Sequence, residues 1–401
     1  MMISKKTTVI IAALLCIIVA ASVSACGGPR NEEPDPTPAP VETPKPTPPP
    51  STPEPTPTPV VLAAYEGVVE HLFFHEVIAY PELAFDGDSN QKGYDSNMLT
   101  VGEFNKILES LLKNGFILIN LNDVWSEVTT DNGYLRMQRN SMMLPEGKKP
   151  LVISFDDLSF YPYMKGDGFM DRYIVGSDGN IWAEGFDPDG NPIVSQDFSV
   201  ITILDKFIID NPGFSHNGAK GCIAFTGYEG ILGYRTQTGN DDETDAFRLN
   251  RMQEIARVKP VVQRLKETGW YFATHSFGHV NLEKLSVASV QADAERWLDE
   301  VGSLVGDTKI FIYPFGTRLD GNDVNDTGPA FRYYQEIGFR IFAAVGREPY
   351  TQIKDDSTAV ILDRMAVDGN SLRVRRERFL RFFDASEVFD PLRPSEYEVD
   401  W

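Results

Sequence analysis

The sequence predicts a mostly parallel α/β fold, a distorted (β/α) barrel of seven to eight strands carrying a small antiparallel β insertion. Three features point to it. From Val61 on, short apolar runs alternate with amphipathic stretches, the rhythm of strands separated by helices. Eight runs have the length and composition of buried strands, enough to close a barrel. Three of them end in chemically reactive side chains, and parallel barrels gather their active sites at strand C-termini.

In chain order, the predicted strands cover residues 68–74, 116–120, 151–155, 221–225, 270–274, 309–313, 340–344 and 359–362. Between the first two, Thr100 and Glu103 form a capping-box pair, and Phe104, Ile107, Leu108, Leu111 and Leu112 share one helical face. Further helices are expected at 200–210, at 247–267 with a kink at Pro260, and at 287–304, 330–337 and 372–382. About 65 residues separate the third and fourth strands, far more than a loop needs. Within them, Asp-Gly turns at 176–180 and 187–191 join three short β-prone runs, which places an antiparallel insertion within 159–220.

The barrel domain, 61–401, follows a different kind of sequence. Lys5 and Lys6 precede an apolar stretch over 9–21, and Val23-Ser24-Ala25-Cys26 follows in signal-peptide order. Those four residues resemble a bacterial lipobox, which implies cleavage before Cys26 and a lipid tether to the membrane on that residue. An uncleaved anchor over 7–25 is the competing reading, and both put the body outside the cytoplasm. Residues 29–60 hold 14 of the 27 prolines, so the segment over 27–60 cannot pack a core and reads as an extended spacer. At about 3.1 Å per residue it would reach roughly 100 Å.

The formal charge of −21 argues against nucleic acid as a partner, because an acidic surface repels phosphates. No structural disulfide is available to the body, whose one cysteine, Cys222, reads as a buried small side chain. A monomer is expected.

The reactive strand ends are Ser154-Phe155-Asp156-Asp157, Thr274-His275-Ser276-Phe277-Gly278-His279 and Tyr313-Pro314-Phe315-Gly316. Two histidines four apart converge if their segment turns helically, and a carboxylate from a neighbouring strand end completes a His, His, Asp set with open positions for water. Backbone N–H groups of the Tyr-Pro-Phe-Gly turn are placed to meet a developing oxyanion. A glycosidase reading of the Asp pair fails, since adjacent residues on a strand point oppositely and do not flank one bond.

With their order, these motifs resemble the polysaccharide deacetylases of the NodB-homology type, carbohydrate esterase family 4. Ser-Phe-Asp-Asp is similar to the first motif, His-Ser-Phe-Gly-His to the second and Tyr-Pro-Phe-Gly to the third, and Phe74-His75-Glu76-Val77 resembles the first strand's Tyr-His-x-Val. The similarity spans roughly 68–365. It implies a metal-dependent enzyme that removes acetyl groups from an N-acetylated polysaccharide. Asp156 would be the general base, Asp157, His275 and His279 the ligands of a divalent metal, zinc, and the N–H of Phe315 an oxyanion donor.

Three departures stand out. Leu158 replaces the glycine after the Asp pair; Ile312 stands where an arginine often orients the base, with Arg318 as the nearest substitute; and no histidine follows His279 to act as general acid. His71 and His75 share a strand face with Phe73, and His75, nearer the C-terminal end, is the candidate acid. His216 reads as a surface loop residue. Trp182, Tyr228 and Trp270 are candidate sugar-stacking rings, although Trp270 opens a strand and fits the core. A carbohydrate-binding protein that kept this fold and lost its activity is the alternative in another functional class.

Overall fold

Alternation along each strand sorts the core into two shells, one inside a closed ring of strands and one outside it. The computed structural model describes residues 60–239, 244–319, 328–353 and 358–395. The apolar leader, Cys26 and nearly all of the proline-rich segment lie outside the described residues.

Seven parallel strands close the ring: β1 (Glu70–Phe74), β2 (Lys149–Asp156), β3 (Cys222–Phe225), β4 (Tyr271–Thr274), β5 (Ile310–Ile312), β6 (Ile341–Val345) and β7 (Val360–Ala366), in the order β3-β4-β5-β6-β7-β1-β2 and back to β3. The remaining expected strand, at 116–120, is observed as Phe116–Leu118 and lies beside the ring. It pairs with the first half of β2 (Phe116 opposite Lys149), and β3 takes the second half of that same edge (Cys222 opposite Ser154). A short antiparallel strand, Thr351–Ile353, likewise takes the first half of one β7 edge.

Inside the ring, Val152, Cys222, Ala224, Ala273, Ile310, Ile312, Ile341, Ala343 and Leu362 form one apolar cluster. It extends onto Leu121, Trp125 and Met137, the last two from a hairpin of Trp125–Thr129 with Leu135–Arg139. Outside the ring, Leu151, Ile153, Phe155, Ile223 and Phe272 meet the helices. Helix α1 (Val101–Lys113) carries the expected capping box, with Glu103 N donating to Thr100 Oγ1 at 3.2 Å and Thr100 N to Glu103 Oε2 at 2.9 Å. Its buried face is Phe104, Ile107, Leu108 and Leu111. Helix α2 (Val200–Asp210) and α3 (Asp245–Glu267) match expectation, and α3 runs through Pro260.

Two expected helices differ. Over 287–304 the α-helical part, α4 (Val287–Trp297), gives way to a π-helical turn at Leu298–Gly302. That turn holds Glu300, buried, where its carboxylate accepts from Thr238 N at 2.6 Å and Arg296 Nε at 2.7 Å. The span 372–382 breaks into the helix Gly369–Val374 and a 3₁₀ turn at Arg376–Phe379.

The insertion is a three-stranded antiparallel sheet, Arg172–Val175, Ile181–Phe186 and Pro192–Ser195, with its turns where the Asp-Gly pairs predict them. Glu76, just past β1, fastens it to the barrel. Its buried carboxylate accepts from Tyr173 Oη at 2.6 Å, Ser199 Oγ at 2.9 Å, and the backbone N–H groups of Val77 and Val200 at 3.0 Å each.

Candidate active site

Inward phase on β2 brings Val152, Ser154 and Asp156 to the barrel axis in turn, and the last of these sits at the C-terminal mouth. Burial alone would raise the Asp156 carboxyl. The Arg364 guanidinium outweighs burial, and with His275 and His75 nearby it holds the group well below the usual carboxylate range. Arg364 is fully buried and bidentate, Nη1 to Oδ1 at 2.7 Å and Nη2 to Oδ2 at 2.9 Å, and Nη1 also donates to Ser154 Oγ at 3.0 Å. Its plane lies over the Phe73 ring, 4.1 Å from the centroid.

This arginine corrects the sequence reading. Arg318 does not pair with Asp156; it pairs with Asp363 at 2.7 Å. The orienting group arrives from β7 instead, because the strand continues past the 359–362 run to Ala366 and its inward phase places Arg364 opposite Asp156. A lone arginine two residues beyond an apolar strand, in phase with its inward residues, was the available signal.

Asp157 leaves the strand direction with φ 60°, and Leu158 then turns into the core, fully buried. The glycine expected after the pair is unnecessary here, because the left-handed residue is Asp157 itself. The second motif is not a helical turn. Ser276 and His279 take φ 56° and 47°, and Asp293 of α4 shapes the loop by accepting from Phe277 N and Gly278 N at 2.8 Å each. The histidine rings still converge, with centroids 5.0 Å apart. Phe315 (φ 58°) and Gly316 (φ 67°) form two consecutive left-handed positions, and a Cβ at Gly316 would lie 2.5 Å from Val345. The Phe315 ring is exposed and lies 4.5 Å from that of His279. Left-handed backbone thus concentrates at this mouth, as strained conformations do at functional sites.

Donor atoms of Asp157, His275 and His279 all lie within 4.8 Å of one another. The set suits a divalent metal on its own chemistry. His275 Nδ1 is 2.9 Å from the Ile312 carbonyl, which fixes the proton there and leaves Nε2 as a lone-pair donor facing the carboxylates. Burial lowers the His275 pKa against the pull of Asp156 and Asp157, so the ring is neutral, as a ligand must be. His279 Nε2 is 3.4 Å from Asp157 Oδ2, and Tyr161 Oη donates to Asp157 Oδ1 at 3.0 Å.

His75 is half-buried above Phe73 on the same inward face, close enough to Asp156 to act on its carboxyl electrostatically, and its Nδ1 has no partner among the described residues. Tyr161 was missed from sequence. It is stacked between Tyr163 and Tyr228, centroids 5.5 and 5.4 Å away, and the two outer rings are exposed. Of the candidate stacking rings, Tyr228 lies at this platform, Trp182 is tied to Asp178 by its indole N–H at 3.0 Å, and Trp270 is core, donating to Asp205 at 2.9 Å. His216 lies in a loop beside Asn217.

No family model matches the chain, and no curated protein matches it. Among solved structures it is similar to a Streptococcus pyogenes deacetylase, PplD, in complex with acetate, at 14% identity over 76% of this chain and 94% of that chain, with a TM-score of 0.42. It is also similar to a polysaccharide deacetylase from Bacillus cereus, at 12% identity over 80% of this chain and 69% of that chain, with a TM-score of 0.41.

Proposed function

We propose that the protein is a metal-dependent deacetylase that releases acetate from an N-acetylated extracellular polysaccharide, tethered to the membrane through a lipid on Cys26. The observation that carries this reading is a carboxylate held ionised by a buried guanidinium beside a His, His, Asp donor set, all at one barrel mouth.

Asp157, His275 and His279 would hold the divalent ion, proposed to be zinc, which when bound would supply Lewis acidity to an acyl carbonyl and to a water. Asp156 takes the proton from that water as it attacks, and Arg364 keeps the carboxylate charged and aimed. The Phe315 N–H donates to the oxyanion that develops on the carbonyl oxygen. His75 returns a proton to the leaving nitrogen, so water and amide become acetate and a free amine.

The test is acetate release by the metal-loaded full chain from a panel of acetylated glycans, with Asp156→Asn beside it. Loss of the base should lower kcat by about 100-fold or more. If no glycan yields acetate above the Asp156→Asn background while glycan binding persists, the protein is a binder that kept the site without the reaction.

A further inference from the structure

Between β7 and β1 the barrel wall parts. Only Met365 opposite Leu72 and Ala366 opposite Phe73 pair across this seam, because Thr351–Ile353 occupies the first half of the β7 edge. The gap is a cavity of about 580 Å³, a volume typical of small-molecule sites. Val124, Trp125 and Met137 line one side of it, and the inward residues Val152 and Leu362 line another.

Two polar features make it more than an apolar void. His71 lines the cavity with 6% of its surface exposed, and its Nδ1 has no hydrogen-bond partner among the described residues. Its Nε2 lies 2.9 Å from Ser154 Oγ, which already accepts from Arg364 Nη1 at 3.0 Å. The arrangement that uses the Ser154 hydroxyl proton sends it to Nε2 and leaves Nδ1–H as a buried donor behind the cavity wall.

Arg136 and Arg139 also line it; neither has a carboxylate partner among the described residues, and Arg139 Nη2 donates to the Gly67 carbonyl. Asp363, the acidic residue of the lining, is neutralised by Arg318 at 2.7 Å. In a chain of formal charge −21, this is a local positive field at the rim of a half-open cleft with apolar residues along its walls, a combination that selects anions with apolar bodies.

We propose that the cavity is a second ligand site, distinct from the catalytic mouth, for a small organic anion: its carboxylate on Arg136 and Arg139 and its apolar body against Trp125 and Met137, beside the His71 ring. The occupant would sit one side chain from the Ser154–Arg364–Asp156 chain of hydrogen bonds. The site does not depend on any reaction at the other end of the barrel.

Calorimetric titration of the full chain with 4-hydroxyphenylacetate tests it. Saturable binding of one equivalent is expected, at least tenfold weaker with the neutral 4-hydroxyphenylacetamide and at least tenfold weaker in the double variant Arg136→Glu, Arg139→Glu. Binding should persist in His279→Ala, and the His71 ring resonances should move in a ¹⁵N-histidine spectrum. Absence of saturable binding, equal binding of acid and amide by the wild-type chain, or loss of binding in His279→Ala would each overturn the proposal. The amide comparison needs no variant, so the proposal stays testable even if the double variant folds poorly.

Discussion

Arg364 meets both oxygens of Asp156, the Ser154 hydroxyl and the Phe73 ring at once, and only a planar fork does this. Arg364→Lys keeps the charge but not the geometry. It should lower kcat by about 10-fold or more with KM little changed, read from steady-state kinetics, because the lysine cannot hold the base in register. Arg364→Ala strands a buried carboxylate and should cost about 3–5 kcal/mol in a denaturant titration, a loss that needs no active enzyme to be seen. At this scale the sequence was most informative where chemistry is local. Asp156, Asp157, His275 and His279 announce themselves by residue type at strand ends. Arg364 and Tyr161 do not, since their roles come from inward phase on a strand far along the chain and from ring stacking between Tyr161 and Tyr228, which lie on separate segments.

At the scale of elements, the insertion depends on Glu76. Burial raises its carboxyl above the ordinary value, opposed by the hydrogen bonds from Tyr173, Val200, Val77 and Ser199. A raised carboxyl contributes stability that is present below the ordinary carboxylate pKa and lost as pH rises through its native value. Thermal melts taken upward in pH from the ordinary carboxylate range should therefore show a falling component that Glu76→Gln removes. Glu76→Ala should cost about 3 kcal/mol or more by leaving buried donors unpaired and should expose the insertion to protease first. An insertion that survives Glu76→Ala as firmly docked as before would contradict this anchoring. The three insertion strands were legible from Asp-Gly turns. The hairpin of Trp125–Thr129 with Leu135–Arg139 was not, because most of its residues are wet and only the Asp131-Asn132-Gly133 turn marks it.

For the whole molecule, closure came out at seven strands because Phe116–Leu118 and Thr351–Ile353 each borrow half of an edge. Apolar runs identify strands, but the sharing of an edge is decided by packing between distant segments and leaves no local mark. The chain's far end is also fixed by a buried network: Arg393 joins Glu103 of α1 at 2.7 Å and Asp95 at 3.0 Å. The address at the N-terminus belongs to this scale too. Cys26→Ser should move the protein from the membrane fraction to the soluble extracellular fraction, since a lipid on that residue is the proposed tether; retention in the membrane would favour the uncleaved anchor.

The central claim is that Asp157, His275 and His279 hold a divalent metal, because every other assigned role is arranged around that point. Elemental analysis of the full chain after exhaustive dialysis tests it most directly. About one zinc per chain is expected, with affinity falling about 100-fold or more in His275→Ala and in His279→Ala; zinc content unchanged by both substitutions would contradict the account.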